Sequence, residues 1–137
     1  SIKNTLSIDA VGAPYPDFKS LRDDITNRTI SGAFRSGWIG DYPGLGNFLV
    51  PLYGTGGSSN DGDYSNPDFD AKLKEAAGAK TSEESNALYN QSQETLFKDL
   101  PAIPLWYSNA TGGYSENVSN VEFGWNSTPL YYKITRK

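Results

Sequence analysis

Cysteine and histidine are both absent from this chain of 137 residues. Without cysteine, the chain has no disulfide framework, no thiolate metal site and no cysteine nucleophile. Without histidine, it lacks the commonest metal ligand and the commonest general base, and a Ser-His-Asp triad is excluded. We therefore expect a protein that is not an enzyme and that has no catalytic residues, no metal site and no cofactor.

Positive charge is also in short supply. Lysine and arginine total 12 against 16 aspartates and glutamates, so the formal net charge is -4. Because nucleic acids and anionic membranes are bound by concentrated positive charge, we expect neither as a partner. The sequence has no apolar run long enough to cross a membrane and shows no leader peptide. Its wealth of Asn, Ser, Thr, Gly and Tyr is typical of proteins that work outside the cytoplasm.

The start of the chain has the pattern of a β-α-β unit. Ile2 to Ala10 alternates apolar and polar residues, which predicts a strand. Apolar residues then recur at helical spacing from Phe18 to about Asn27, and Thr29 to Ile39 predicts a second strand. Because a helix connects them, the two strands would be parallel, with a right-handed crossover.

Three further helices are predicted after this unit. The first covers Leu45 to Tyr53, where apolar residues share one helical face. The second begins with Asn66 as N-cap and ends at Gly78. The third begins with a capping box, Thr81-Ser82-Glu83-Glu84, and continues to Pro101.

The remaining segments predict loops and short strands. Gly54 to Ser65 is nearly all Gly, Ser, Asn and Asp, so we expect an exposed and mobile loop. Pro101 to Tyr107 is apolar and flanked by proline, which favours a buried or edge strand. The tail offers three short extended pieces, near Tyr114, at 118–123 and at 131–134.

The stretch Gly37-Trp38-Ile39-Gly40-Asp41 is the candidate functional site. Asp41 would follow the carboxyl end of the second predicted strand, and ligands bind at that edge of open α/β sheets. The glycines would let another molecule approach closely. The alternative interpretation is that Trp38 is a core residue and that Asp41 caps the following helix.

A second acidic motif is much weaker. Asp61, Asp63 and Ser65 stand at the spacing of the first three ligands of a calcium loop. The pattern then fails, because Asn66 and Lys72 occupy the positions where that loop requires a glycine and a bidentate glutamate. We therefore expect no metal site here.

The candidate stretch, with Tyr42-Pro43 and the following Asn47-Phe48-Leu49, resembles the C-terminal part of family 5 extracellular solute-binding proteins. These are the oligopeptide- and dipeptide-binding components of ABC transporters. The likeness continues in three further blocks: Tyr64 to Asp70, Leu88-Tyr89 with Gln93, and Leu100 to Tyr107. Gly40 stands where the family commonly has alanine, and Gly44 where it often has an acid.

The resemblance implies an α/β fold, specifically a fragment of one lobe of a type II periplasmic-binding-protein-like fold. That fragment would have the β-α-β start, the three further helices and then short C-terminal strands. Residues 1–137 would form a single C-terminal lobe fragment of a larger two-lobed protein. About residues 109–137 would lie toward the hinge or the other lobe of that protein.

The same resemblance assigns roles to five residues. Asp41 would receive the α-ammonium group of a peptide, since a carboxylate in a closing cleft gains a charge-assisted hydrogen bond from an ammonium. Trp38 would form the wall of a side-chain pocket. Gly37 and Ile39 would offer backbone groups to an extended peptide, and Arg35 would meet a carboxylate.

The implied partners are a peptide or other small solute, an ABC permease at the membrane, and the missing N-terminal lobe of the same protein. The implied location is extracytoplasmic, with a membrane anchor in the full-length protein. Two other interpretations stay open. Trp38, Trp106, Trp125 and nine tyrosines suit an oligosaccharide-binding receptor of the same family or a secreted carbohydrate-active domain. A structural or interaction module, with all its aromatic residues in the core, is the third interpretation.

Overall fold

The structure is a computed structural model that describes residues 2–137. It divides into two units, residues 1–35 and residues 36–137, and each is described by itself. In chain order the helices are α1 (Ile2–Leu6), α2 (Phe18–Thr26), α3 (Gly46–Tyr53), α4 (Pro67–Ala77) and α5 (Ser82–Asp99). Two short strands follow, β1 (Val118–Ser119) and β2 (Thr135–Arg136), and a 3-10 helix at Tyr131–Lys133 lies between them in the sequence. Within residues 2–137, no helix combines the length and the apolarity needed to cross a membrane.

The predicted β-α-β start is wrong. Residues 2–6 form the short helix α1, whose side chains are all exposed, and none of residues 29–39 belongs to a strand. Alternating apolar residues stabilise a strand only where a neighbouring strand supplies the backbone partners. Neither segment has such a partner in the part of the chain that the structure describes.

Helix α2 is confirmed, and polar side chains fix both of its ends. Asp17 is the N-cap, and its side chain accepts a hydrogen bond from the backbone N–H of Ser20. Near the other end, the Asp24 carboxylate accepts hydrogen bonds from Tyr15 at 2.7 Å and from Thr29 at 2.9 Å. These bonds tie the segments before and after α2 to the helix.

The core of the second unit lies where α4 and α5 pack together with α3. Its buried side chains come from all three helices, namely Leu49, Phe69, Leu73, Ala76 and Tyr89. Phe69 is completely buried, and its ring meets that of Tyr64 edge to face, with centroids 5.7 Å apart. The three helices predicted in this region are confirmed.

The caps of α4 and α5 largely follow the sequence signals. The Asn66 side chain accepts hydrogen bonds from the N–H groups of Asp68 and Phe69. Thr81 likewise accepts from Glu84, but the Glu84 carboxylate bonds to the N–H of Lys80 instead of returning to Thr81. The C-cap of α5 is Leu100, whose backbone is in the left-handed conformation with φ of 48°.

The 54–65 loop has more internal hydrogen bonds than its composition predicts. Asn60 is buried, and its side chain donates hydrogen bonds to the carbonyls of Gly54 and Tyr64 and accepts one from the Tyr64 N–H. Gly57 packs against the C-terminal carbonyls of α3. One buried amide therefore holds together a loop that was expected to be exposed and mobile.

The predicted strand at 101–107 is also wrong. The segment forms no strand and has no strand partner among residues 36–137, and most of its apolar side chains are exposed. The short C-terminal strands are confirmed only in part: β1 lies within the predicted piece 118–123, but no strand forms near Tyr114, and β2 begins just after the piece predicted at 131–134. β1 and β2 pair antiparallel, with Val118 opposite Arg136. Of the tail pieces predicted as extended, 131–134 instead contains the 3-10 helix.

Candidate functional site

The candidate stretch 37–41 is irregular backbone, not the end of a strand. Gly37, Ile39 and Asp41 are exposed, Trp38 is partly buried and Gly40 is buried. Asp41 is therefore exposed to solvent, whereas the neighbouring Gly40 is buried. Arg35, the fifth candidate residue, is exposed and lies in the first unit.

Asp41 does not cap the following helix. Helix α3 begins at Gly46, and its N-cap Leu45 makes no side-chain capping bond. The backbone N–H of Asp41 donates instead to the Oδ1 of Asn47, at 2.8 Å. Within residues 36–137, no lysine or arginine forms an ion pair with Asp41. The carboxylate is therefore exposed and uncompensated by this unit, and the capping interpretation is wrong.

The backbone beside Asp41 is held tightly against α3. A Cβ atom added to Gly40 would lie 2.8 Å from the Phe48 ring and 3.1 Å from the Asn47 Oδ1. Asn47 itself is only 8% exposed. Close packing and one partly buried hydrogen bond thus fix the backbone from which the Asp41 side chain leaves.

Helix α3 is in turn fixed on α5. A Cβ atom at Gly46 would lie 2.7 Å from the hydroxyl oxygen of Tyr89, which is a buried residue of α5. Leu49, one turn further along α3, belongs to the core cluster. The position of Asp41 is therefore set by the helical core and not by a sheet.

Trp38 is partly buried, and its indole nitrogen Nε1 is fully shielded. That N–H has no hydrogen-bond partner in the part of the chain that the structure describes. A buried donor without a partner costs about 1–3 kcal/mol. The partial exposure of the residue also differs from the fully buried aromatic core that the structural-module interpretation requires.

In the block from Tyr64 to Asp70, two side chains connect the start of α4 to the end of α5 by hydrogen bonds. The Tyr64 hydroxyl donates to the Asp99 carboxylate at 2.6 Å, and the Asn66 amide donates to the same oxygen at 2.8 Å. Burial, followed by the bond to Asp99, raises the pKa of Tyr64 to about 12. The bond from Tyr64, followed by that from Asn66, lowers the pKa of Asp99.

Two other features do not add to the site. A groove of about 140 Å³ in the second unit does not include Asp41 in its lining, which consists of Leu49, Tyr53, Gln93, Leu96, Phe97, Pro101, Ala102 and Pro104. Among residues 2–137, no cluster of three or more Asp, Glu, His or Cys side chains could hold a metal ion. The Asp61-Asp63 motif therefore gains no support as a calcium site.

The sequence predicted a site at Asp41 but not the hydrogen bond by which Asn47 holds the Asp41 backbone. The missed signal was a polar residue at the start of an otherwise apolar helix, next to Phe48 and Leu49. In a helix that is buried on that side, such a residue needs a hydrogen-bond partner. The nearby backbone of the candidate stretch supplies it.

Comparison with known proteins gives several relatives. Heme-binding protein A of Haemophilus influenzae is 42% identical over 74 residues, which make up 53% of this chain and 14% of that protein. Periplasmic murein peptide-binding protein MppA of Escherichia coli is 34% identical over 76 residues, or 55% of this chain and 14% of that protein. Oligopeptide-binding protein OppA of Bacillus subtilis is 31% identical over 88 residues, or 64% of this chain and 16% of that protein. No protein-family model matches the chain.

These relatives are family 5 solute-binding proteins, and the chain is homologous to them over about half of its length. The resemblance noted in the sequence is thereby confirmed. The matched segments span only 14–16% of these relatives' lengths. The helices and the small two-stranded sheet are consistent with a fragment of a periplasmic-binding-protein fold.

Proposed function

We propose that residues 1–137 are part of the C-terminal lobe of a two-lobed, extracytoplasmic solute-binding protein that serves an ABC importer and binds peptides. In this proposal Asp41 receives the peptide α-ammonium group and the chain has no catalytic role. The relatives named as peptide-binding proteins support the ligand class. Their names also describe binding proteins and not enzymes.

The observation that carries the proposal is the state of Asp41. Its carboxylate is exposed and forms no ion pair within residues 36–137. Its backbone is held by a hydrogen bond to Asn47 of α3. A fixed, uncompensated carboxylate attracts an ammonium group and disfavours ligands that would leave it buried without a partner. It therefore suits a ligand that carries a free amino terminus.

The other residues of the candidate stretch would contribute beside this charge. Trp38 would form an apolar wall beside the ligand. Gly37 and Ile39 would present backbone groups to an extended peptide, and Arg35 would meet a carboxylate. We propose that a second lobe supplies the opposite wall, so that closure around the ligand excludes water and creates the form that the permease recognises.

The exposed apolar segment 101–107 also supports a longer protein. Ile103, Leu105 and Trp106 are each at least 64% exposed, in a stretch without a single charge. Contiguous apolar surface of this kind is usually covered by another part of the protein or by a partner. We propose that further chain of the same receptor covers it.

Calorimetric titration of the intact receptor tests the ligand class. We expect trialanine and other short peptides to bind, and a trisaccharide such as maltotriose not to bind. Binding of the trisaccharide with no binding of peptides would contradict the proposal and would favour the oligosaccharide receptor. Hydrolysis of the trisaccharide would favour the carbohydrate-active domain.

A further inference from the structure

We infer that Asn47 is a positioning residue for peptide binding and holds the Asp41 backbone where its carboxylate meets the ammonium group. This inference rests on the function proposed above. It starts from one partly buried hydrogen bond, in which Asn47 Oδ1 accepts the Asp41 N–H at 2.8 Å. The acceptor residue, Asn47, is only 8% exposed.

The surrounding contacts restrict the backbone near this hydrogen bond. Gly40 is buried against the Phe48 ring and the Asn47 Oδ1, so the backbone just before Asp41 has little room to move. Gly46 packs against Tyr89 and fixes the start of α3 on α5. Asn47 therefore connects the acid to the packed helical core of the unit.

The consequence for binding is a lower ordering cost. A carboxylate on a freely moving loop would have to be immobilised when it meets the ligand, and that entropy loss would weaken binding. A carboxylate whose backbone is already fixed avoids most of this loss. The gain applies to ligands with an ammonium group and not to ligands whose amine is blocked.

Two variants separate the hydrogen bond from the packing. Asn47→Leu fills a similar volume but removes the acceptor, whereas Asn47→Asp keeps the Oδ1 acceptor. In the chain of 137 residues, the Asp41 amide should exchange slowly with solvent in the wild type and in Asn47→Asp. It should exchange about tenfold faster or more in Asn47→Leu.

The affinities for trialanine and N-acetyl-trialanine are then measured in the intact receptor. We expect Asn47→Leu to lower the preference for the free amine about tenfold, while Asn47→Asp keeps most of it. An equal loss for both peptides would mean a merely structural role and would overturn the inference. An unchanged preference in Asn47→Leu would overturn it too.

Asp41→Asn is the reference for the proposed function. If Asp41→Asn abolishes the preference for the free amine and Asn47→Leu does not change it, only the role of Asn47 is wrong. If Asp41→Asn leaves the preference intact, the ammonium site itself is wrong. Should Asn47→Leu fail to fold, the wild-type exchange rate decides, because a fast-exchanging Asp41 amide overturns the inference.

Discussion

At the residue scale, hydrogen bonds from single asparagine side chains hold the irregular segments of this protein in place. Asn47 holds the candidate stretch, Asn60 holds the 54–65 loop, and Asn66 joins α4 to Asp99. Of these three, only Asn66 was predicted, because a cap followed by proline is recognisable. Asn47 and Asn60 bond to backbone groups several residues away, and no periodicity marks such pairs.

The hydrogen bond between Tyr64 and Asp99 should make stability depend on pH at both extremes. The folded state lowers the pKa of Asp99, so its contribution is present above the usual aspartate pKa of about 4 and is lost as the pH falls below it. The folded state raises the pKa of Tyr64 to about 12. The tyrosine contribution is therefore present below its usual pKa of about 10 and is lost as the pH rises from there toward 12.

Tyr64→Phe tests this coupling. We expect the variant to be less stable at neutral pH, and its free energy of unfolding to change less than that of the wild type toward about pH 3 and about pH 11. Urea denaturation followed by tryptophan fluorescence measures this. Tyr107→Phe is the matched control, since Tyr107 is fully exposed. Parallel pH profiles for the wild type and Tyr64→Phe would contradict the account.

At the element scale, helices α2 to α5 were predictable, whereas α1 was predicted as a strand and the other long strands that the sequence predicted do not form in the described residues. Helices α2 to α5 carry local signals, namely apolar periodicity, N-caps and a capping box, and those signals act within a few residues. A strand needs a distant partner. Residues 2–10, 29–39 and 101–107 have the composition of strands, but the chain supplies no neighbouring strand for them in the described residues.

The 54–65 loop illustrates the same limit. Its composition gave the position of a loop but not its hydrogen bonds, which close it through Asn60 and onto α3. A Cβ atom at Gly57 would lie 2.6 Å from the carbonyl oxygen of Pro51 and 2.8 Å from that of Val50. These are backbone atoms and cannot rotate away.

Gly57→Ala should therefore lower the free energy of unfolding by about 1–3 kcal/mol. Gly62→Ala is the matched control in the same loop, because a Cβ atom there would meet nothing within 4 Å. We expect that control to change the free energy of unfolding by less than about 0.5 kcal/mol. Chemical denaturation measures both, and equal effects of the two substitutions would show that the loop does not pack on α3 as described.

At the scale of the whole molecule, the chain provides one wall of the site that we propose. The residues proposed for this wall come from the family resemblance, and the sequence did not predict the helix that holds their backbone. The sequence placed Asp41 at the mouth of a strand, whereas the structure places it on irregular backbone held by a helix. The proposed ammonium binding does not change with this correction, because it depends on a fixed, exposed carboxylate and not on the type of element that holds it.

The most direct test of the ammonium assignment is a double-mutant cycle in the intact receptor. It combines Asp41→Asn with N-acetylation of trialanine, and Glu94→Gln, an exposed acid on α5, controls for the loss of one negative charge. We predict a coupling free energy of at least about 2 kcal/mol between Asp41 and the peptide amine, and none for Glu94. A coupling free energy near zero for Asp41 would contradict the account.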